Sequence, residues 1–208
     1  MILFASLGEK LQQYYLDIDN ATLRLSATTR LPVSIQFAAA DQTRKILYIV
    51  SSNAGSGTLG SKGDTHLLSA FKMDPATGIL IVHGEAVRLP ERPIHLSLDQ
   101  TARYVLIAYN QSGTLSVHHI NANGSIGKLL TQPKPIDAGI FTHQVTVTPG
   151  NKTAIALSRG NNSIQNRPED LGSINIFAFN QGVLTPLIQI EMESGIGPRH
   201  LAYHPTKA

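Results

Sequence analysis

The sequence predicts an all-β fold built from four-stranded antiparallel units, the blades of a β-propeller, and three observations predict it. Apolar residues alternate with period two in short runs. Asx/Gly turns join one run to the next. A unit of roughly fifty residues recurs along the chain, the repeat length of a four-stranded blade.

The strand-like runs come first. Residues 67–73 (Leu-Leu-Ser-Ala-Phe-Lys-Met), 104–109 (Tyr-Val-Leu-Ile-Ala-Tyr), 114–120 (Thr-Leu-Ser-Val-His-His-Ile) and 173–179 (Ser-Ile-Asn-Ile-Phe-Ala-Phe) each read as a strand, with no helix-length amphipathic run beside them. Turn chemistry sits between such runs at 17–21, 74–78, 121–124 and 180–182, where Asp, Asn and Gly concentrate. Composition agrees with many turns. The 208 residues include 17 Gly and 11 Pro, and 42% hydrophobic against 15% charged residues exclude a disordered chain or a coiled coil.

Self-alignment then sets the units. Residues 93–109, opening Pro-Ile-His-Leu-Ser-Leu-Asp, align with 32–37 followed by 41–50, and again with 142–157. A fourth opening lies at 197–205 (Gly-Pro-Arg-His-Leu-Ala-Tyr-His-Pro). The expected units are 1–31 (partial), 32–90, 91–139, 140–195 and 196–208 (partial). Ser34, His95, Gln144 and His200 occupy one blade position, at spacings of 61, 49 and 56 residues. Insertions at 53–64 and 159–172 fall at the same place in their units, between the second and third strands. Both are expected to rim one mouth of a central channel, where loops on a rigid scaffold carry function.

One residue before the shared position stand Val33, Ile94, His143 and Arg199. The last two depart from the apolar choice of the earlier units. They are expected to face the same axis from neighbouring blades. A histidine there can act as general acid or base near neutral pH, and an arginine can clamp a carboxylate or phosphate. Tyr109, Asn110 and Arg159, at second-strand ends on the same mouth, are lesser candidates for substrate contact. His95, Gln144 and His200 are read as structural or secondary, holding innermost strands to a neighbouring blade.

Other chemistries are excluded or disfavoured. The chain has no cysteine, hence no disulfide, thiolate nucleophile or cysteine metal site. His118 and His119 are adjacent and face opposite sides of a strand, which is wrong for joint chelation, and no His/Asp/Glu grouping has ligand spacing. The Gly-rich stretch at 53–64 lacks the Gly-Lys-Ser/Thr ending of a P-loop. A net charge of +3 without any Lys/Arg run points to a small anionic ligand and not to nucleic acid. No run reaches the roughly eighteen apolar residues of a membrane helix, and the apolar start lacks a basic residue ahead of it. A cytoplasmic protein that does not engage a membrane is expected.

The openings at 93–99, 142–149 and 197–205 resemble successive blade starts of the seven-bladed propeller lactonases, a family that includes 6-phosphogluconolactonases and 3-carboxymuconate lactonizing enzymes. The string Gly-Pro-Arg-His-Leu with its His-Pro turn is the most specific element. The resemblance implies a lactonase, closest to 6-phosphogluconolactonase, with His143 as catalytic histidine and Arg199 as substrate-binding arginine, and with no metal or organic cofactor. It implies about three and a half blades of an expected seven. The glutamate and second arginine that it also implies fall beyond Ala208, so impaired or absent activity is expected of the chain alone. Two alternatives stay open, a cycloisomerase of the carboxymuconate type and a non-catalytic propeller fragment acting as a binding module.

An open stack of blades leaves apolar faces and strand edges that ring closure would hide. The 208-residue chain is therefore expected to self-associate. Light scattering at rising concentration checks this, and a monomer throughout would count against it.

Overall fold

The computed structural model describes residues 1–55 and 61–206, so 56–60 of the Gly-rich insertion lie outside the described residues. Sixteen strands and no helix occur among the described residues. They form four antiparallel sheets in two units, Met1–Arg92 and Pro93–Ala208.

In the first unit, β1 (Ile2–Leu7), β2 (Lys10–Asp17) and β3 (Thr22–Arg30) form a three-stranded meander. The second sheet orders β4 (Ile35–Asp41), β5 (Ile46–Ser52), β6 (His66–Met73) and β7 (Leu80–Val82), with the short β8 (Val87–Arg88) also paired to β6. Every residue of β5 is buried, and its run Ile-Leu-Tyr-Ile-Val reads as a central strand covered on both faces. Leu11 and Leu31 meet Leu47, Ile49 and Phe71 in one apolar cluster. The turns work as their residues dictate. Asp74 Oδ1 accepts from the main-chain N–H groups of Ala76 and Thr77 (3.0 and 2.8 Å), fixing the β6–β7 hairpin. Asn53 Oδ1 likewise receives the N–H groups of Asp64 and Thr65, which pins the two ends of the first insertion together.

The second unit carries the third and fourth sheets. β9 (Pro93–Leu98), β10 (Tyr104–Tyr109), β11 (Thr114–Ile120) and β12 (Ile126–Leu129) form one. β13 (Thr142–Val147), β14 (Thr153–Ser158), β15 (Ser173–Asn180) and β16 (Val183–Glu191) form the other. Strand β13 packs against β9 and β10. Leu106, Ala108 and Val117 of one sheet pack with Val145, Val147, Ala156 and Phe177 of the other in an apolar core. Alternate residues supply it, as period two requires. The runs at 104–109 and 114–120 coincide with β10 and β11 residue for residue.

The fourth opening differs from expectation. Residues 197–204 form no strand, because no backbone ladder pairs them among the described residues and a strand is defined by its ladder. A side chain substitutes for that ladder. The Gln144 amide accepts from Leu201 N (2.6 Å) and donates to Leu201 O (3.4 Å).

Between the two sheets of this unit lies a polar knot. The buried carbonyl of Ala138 accepts from Thr142 Oγ1 (3.1 Å), from Asn175 Nδ2 (2.7 Å) and from Ser158 Oγ. Thr142, Ser158, Ser173 and Asn175 are all buried. Beside it Gly139 sits at φ +91°, and a Cβ there would stand 2.7 Å from Ser173 Oγ and 3.0 Å from Asn175 Nδ2. Asn175→Ala removes a buried donor and strands its neighbours, at a cost of about 1–3 kcal/mol. Gly139→Ala adds backbone strain and a clash, and is expected to cost at least as much. Urea midpoints of the two variants, compared at equal m-value, check both; an unchanged midpoint for either counts against the knot.

Candidate active site

The site grows from the first turn of β13. The chain leaves the knot at Gly139, passes Phe141 at φ +54° and enters the strand at Thr142. A left-handed conformation at a bulky residue costs on the order of 1–3 kcal/mol and persists only where the surroundings enforce it. Here they do. Arg159 N donates to Phe141 O at 3.2 Å, and the Arg159 guanidinium lies over the Phe141 ring, 4.4 Å from its centroid. Asn110 Nδ2 donates to Thr142 O at 3.2 Å, so the end of β10 also fixes the start of β13.

These restraints set His143. Its ring is half-buried and meets the His200 ring edge-on at 5.0 Å between centroids, with an interplanar angle of 89°. Its Nδ1 is buried with no hydrogen-bond partner. Burial lowers the ring's pKa below 6.5, and the charges of His200, Arg199 and Arg159 push the same way, against an opposing contribution from the Arg199 main chain. His143 is therefore a neutral base at pH 7 in cationic surroundings. His95 completes a trio of imidazoles. It is buried, and desolvation with the charges of His200 and His143 depresses it to about 4.

The structure thus gathers His143, Arg199, Arg159, His200 and His95, with Asn110 and Gln144 as braces. Arg199 and His200 are exposed and ride on the segment that Gln144 holds. Tyr109 does not join them. The β9–β10 register shifts between Ala108 and Tyr109, a bulge that turns the last side chain inward. Tyr109 is 1% exposed, and its hydroxyl hydrogen-bonds Ser116 Oγ at 2.8 Å.

The second insertion borders the site as a small hairpin, with Asn161 bridged to Asp170 and Ile164 to Arg167. Gly160 opens it at φ +64°, where a Cβ would lie 2.0 Å from Asp170 O; only glycine lets the two arms approach so closely. Glu169 fastens it to the turn after β16, accepting from Gly195 N (2.7 Å) and from Ser194 Oγ. Phe141 and Glu169 were invisible to the repeat alignment. Neither occupies a shared blade position, and each acts through a partner brought in by folding. Among the described residues no group of three or more His, Asp or Glu side chains is placed to hold a metal ion. No helix among them is long and apolar enough to cross a membrane.

Comparison with known proteins adds to this geometry. A family model described as "Lactonase, 7-bladed beta-propeller" matches residues 5–208. The chain is 30% identical over 187 residues to a 6-phosphogluconolactonase of Pectobacterium atrosepticum, covering 89% of this chain and 49% of that protein. It is 23% identical over 208 residues to a 6-phosphogluconolactonase of Bacillus subtilis, covering 95% and 53%. The chain spans about half the length of the curated relatives it matches. Among solved structures it is similar to a protein from Lactobacillus plantarum (TM-score 0.69, 20% identity, 96% of this chain and 57% of that one). It is also similar to the periplasmic gluconolactonase of Pseudomonas aeruginosa (TM-score 0.62, 14% identity, 93% and 69%). At such identities these likenesses show the fold.

The buried imidazoles make stability depend on pH. His95 and, on β11, the buried His118 both fall from 6.5 to about 4 on folding, His118 through burial alone. The unfolded chain then binds more protons between those values, so stability rises with pH there and is lost as pH falls from 6.5 toward 4. The loss is on the order of a few kcal/mol. The carboxylates Asp41 and Asp99 are lowered from 3.8 and act only below that value. Urea titrations at pH 7 and pH 5 check this, and His95→Gln should flatten the difference. An equal slope in that variant would exclude His95 as a source.

Proposed function

The chain belongs to the seven-bladed β-propeller lactonase family, and from that premise we propose that its site opens a sugar lactone to the hydroxy acid, with His143 as general base. One observation carries the reading: a half-buried, neutral imidazole with an unpartnered nitrogen, ringed by the cations Arg199 and Arg159. That setting suits attack on an ester whose carbonyl gains negative charge.

The steps balance without a further reactant. Water adds to the lactone carbonyl as its proton passes to His143, and the carbonyl oxygen becomes an oxyanion. Arg199, next to the imidazole, stabilises it. The tetrahedral carbon then expels the ring oxygen, which takes the proton back from His143 and leaves the open acid. The imidazolium formed in the first step is disfavoured by its cationic neighbours, and this speeds its return of the proton to the leaving alkoxide. The neighbours therefore suit His143 to shuttling and not to holding charge.

The substrate class follows from the same charges. An anionic lactone is drawn to the cationic site, and the names of the Pectobacterium and Bacillus relatives point to 6-phosphogluconolactone. Hydrolysis of that lactone by the 208-residue chain, corrected for spontaneous opening, tests the reading. His143→Ala should lower the rate by roughly 10²–10⁴-fold. The acid limb of kcat/KM should fall below pH 6.5, since burial and cations depress the base. Equal turnover by the variant, corrected for spontaneous opening, overturns the proposal.

A further inference from the structure

Three imidazoles meet at the site, and they differ in how much water reaches them. His95 on β9 is buried, His143 on β13 is half-buried, and His200 on the segment after β16 is exposed. A charge on a ring costs least where water still solvates it and most where burial has removed that water. The proposed chemistry uses His143 and leaves the other two rings without a task.

The segment that carries His200 engages His143 twice. The two rings meet edge to face, 5.0 Å between centroids at 89°, within the range of a T-shaped pair. The Arg199 main chain hydrogen-bonds the same imidazole. Gln144 holds the segment one residue beyond His200, through both polar atoms of the Leu201 main chain, so the exposed ring is kept against the half-buried one.

Rings this close do not titrate independently. An imidazolium at His200 opposes a second one at His143 and another at His95. The other charges that bear on His143 are Arg199 on the same segment and Arg159 at the end of β14. Glu169, which borders both arginines, hydrogen-bonds Ser194 and Gly195. Of these groups only the imidazoles have an ordinary titration range near neutral pH. His95, depressed to about 4 chiefly by burial, stays neutral until well into acid. His200 is left as the neighbour whose charge varies while the base is at work.

We propose that His200 is a positioning residue for His143: its ring meets the imidazole edge to face, and the exposed member of the pair carries the charge in acid so that the half-buried member stays a free base. The inference rests on the lactonase reading for the role of His143. His200 itself touches no reacting atom. It acts through its neighbour, because charge on its own ring makes a second imidazolium costly as the pH falls.

NMR titration of the histidine ring signals of the 208-residue chain reads the midpoint of His143 without turnover, with His143→Gln identifying the signal. His200→Phe keeps a ring against His143 and removes the charge. The His143 midpoint should then move to higher pH, toward 6.5, and the acid limb of kcat/KM should move with it. A ring that only packed would leave the midpoint where it was. A second comparison varies charge with the ring gone: His200→Lys keeps a cation, His200→Gln does not, and the former should give the lower His143 midpoint. An unmoved midpoint in His200→Phe overturns the proposal; should that variant not fold, coincident midpoints in His200→Lys and His200→Gln overturn it instead. Equal turnover by His143→Ala removes the lactonase reading and leaves the coupling of the two rings standing, whereas unmoved midpoints remove the coupling alone.

Discussion

The carbonyl of Ala138 is the point on which the site depends. Three buried side chains, from β13, β14 and β15, converge on this one acceptor. An apolar core alone would permit sliding between sheets, since dispersion contacts are non-directional. A buried polar knot is directional and costly to leave half-satisfied. It therefore fixes the register in which the linker after β12 meets the next sheet. Ser158 of the knot is the residue before Arg159, and Thr142 is the residue before His143. The two hydroxyls also bond each other at 3.0 Å. The base and one arginine of the site are thus each one peptide from a buried, hydrogen-bonded anchor, which gives the precision that a catalytic geometry requires.

Electrostatics explain why the anchors must be strong. His143, His200, His95, Arg159 and Arg199 share one neighbourhood, and each added charge raises the cost of the next. Two devices contain that cost. Burial and neighbouring charge favour the neutral forms of His95 and His143, and one guanidinium is placed on an aromatic face. Neither device neutralises the arginines. An arrangement that stays cationic at every pH near neutrality favours whatever anion enters, and it does so most where water is partly excluded.

Much of this was legible in the sequence because blades repeat. Alternation located β10 and β11 to the residue, and the repeat alignment isolated His143 and Arg199 as departures from Val33 and Ile94. What the sequence hid depends on relations between segments. Tyr109 sits at a strand end like Asn110, yet a bulge against β9 turns it into the core. Phe141 adopts a conformation normally left to glycine, and only the folded position of Arg159 explains it. Glu169 acts on a turn about a quarter of a hundred residues along the chain, a distance at which no local pattern operates. The segment 197–204 carries strand-forming residues but lacks a ladder, because pairing belongs to two chains of atoms and propensity to one.

That last segment shows how a side chain can take over the work of a sheet. Arg199 is set neither by β-ladder bonds nor by an ion pair. It is set by the Gln144 carboxamide two residues along at Leu201, which presents the acceptor and donor that a neighbouring strand would have offered. Gln144 follows His143 directly, at the register shift of β13 against β14 between Thr142 and Gln144. One strand therefore positions both partners of the site, the histidine by its own backbone and the arginine through the adjacent amide. Movement of β13 would carry both together and preserve their separation. A glutamine at this blade position, where other units have serine or histidine, gives the strand a planar donor–acceptor pair of peptide geometry.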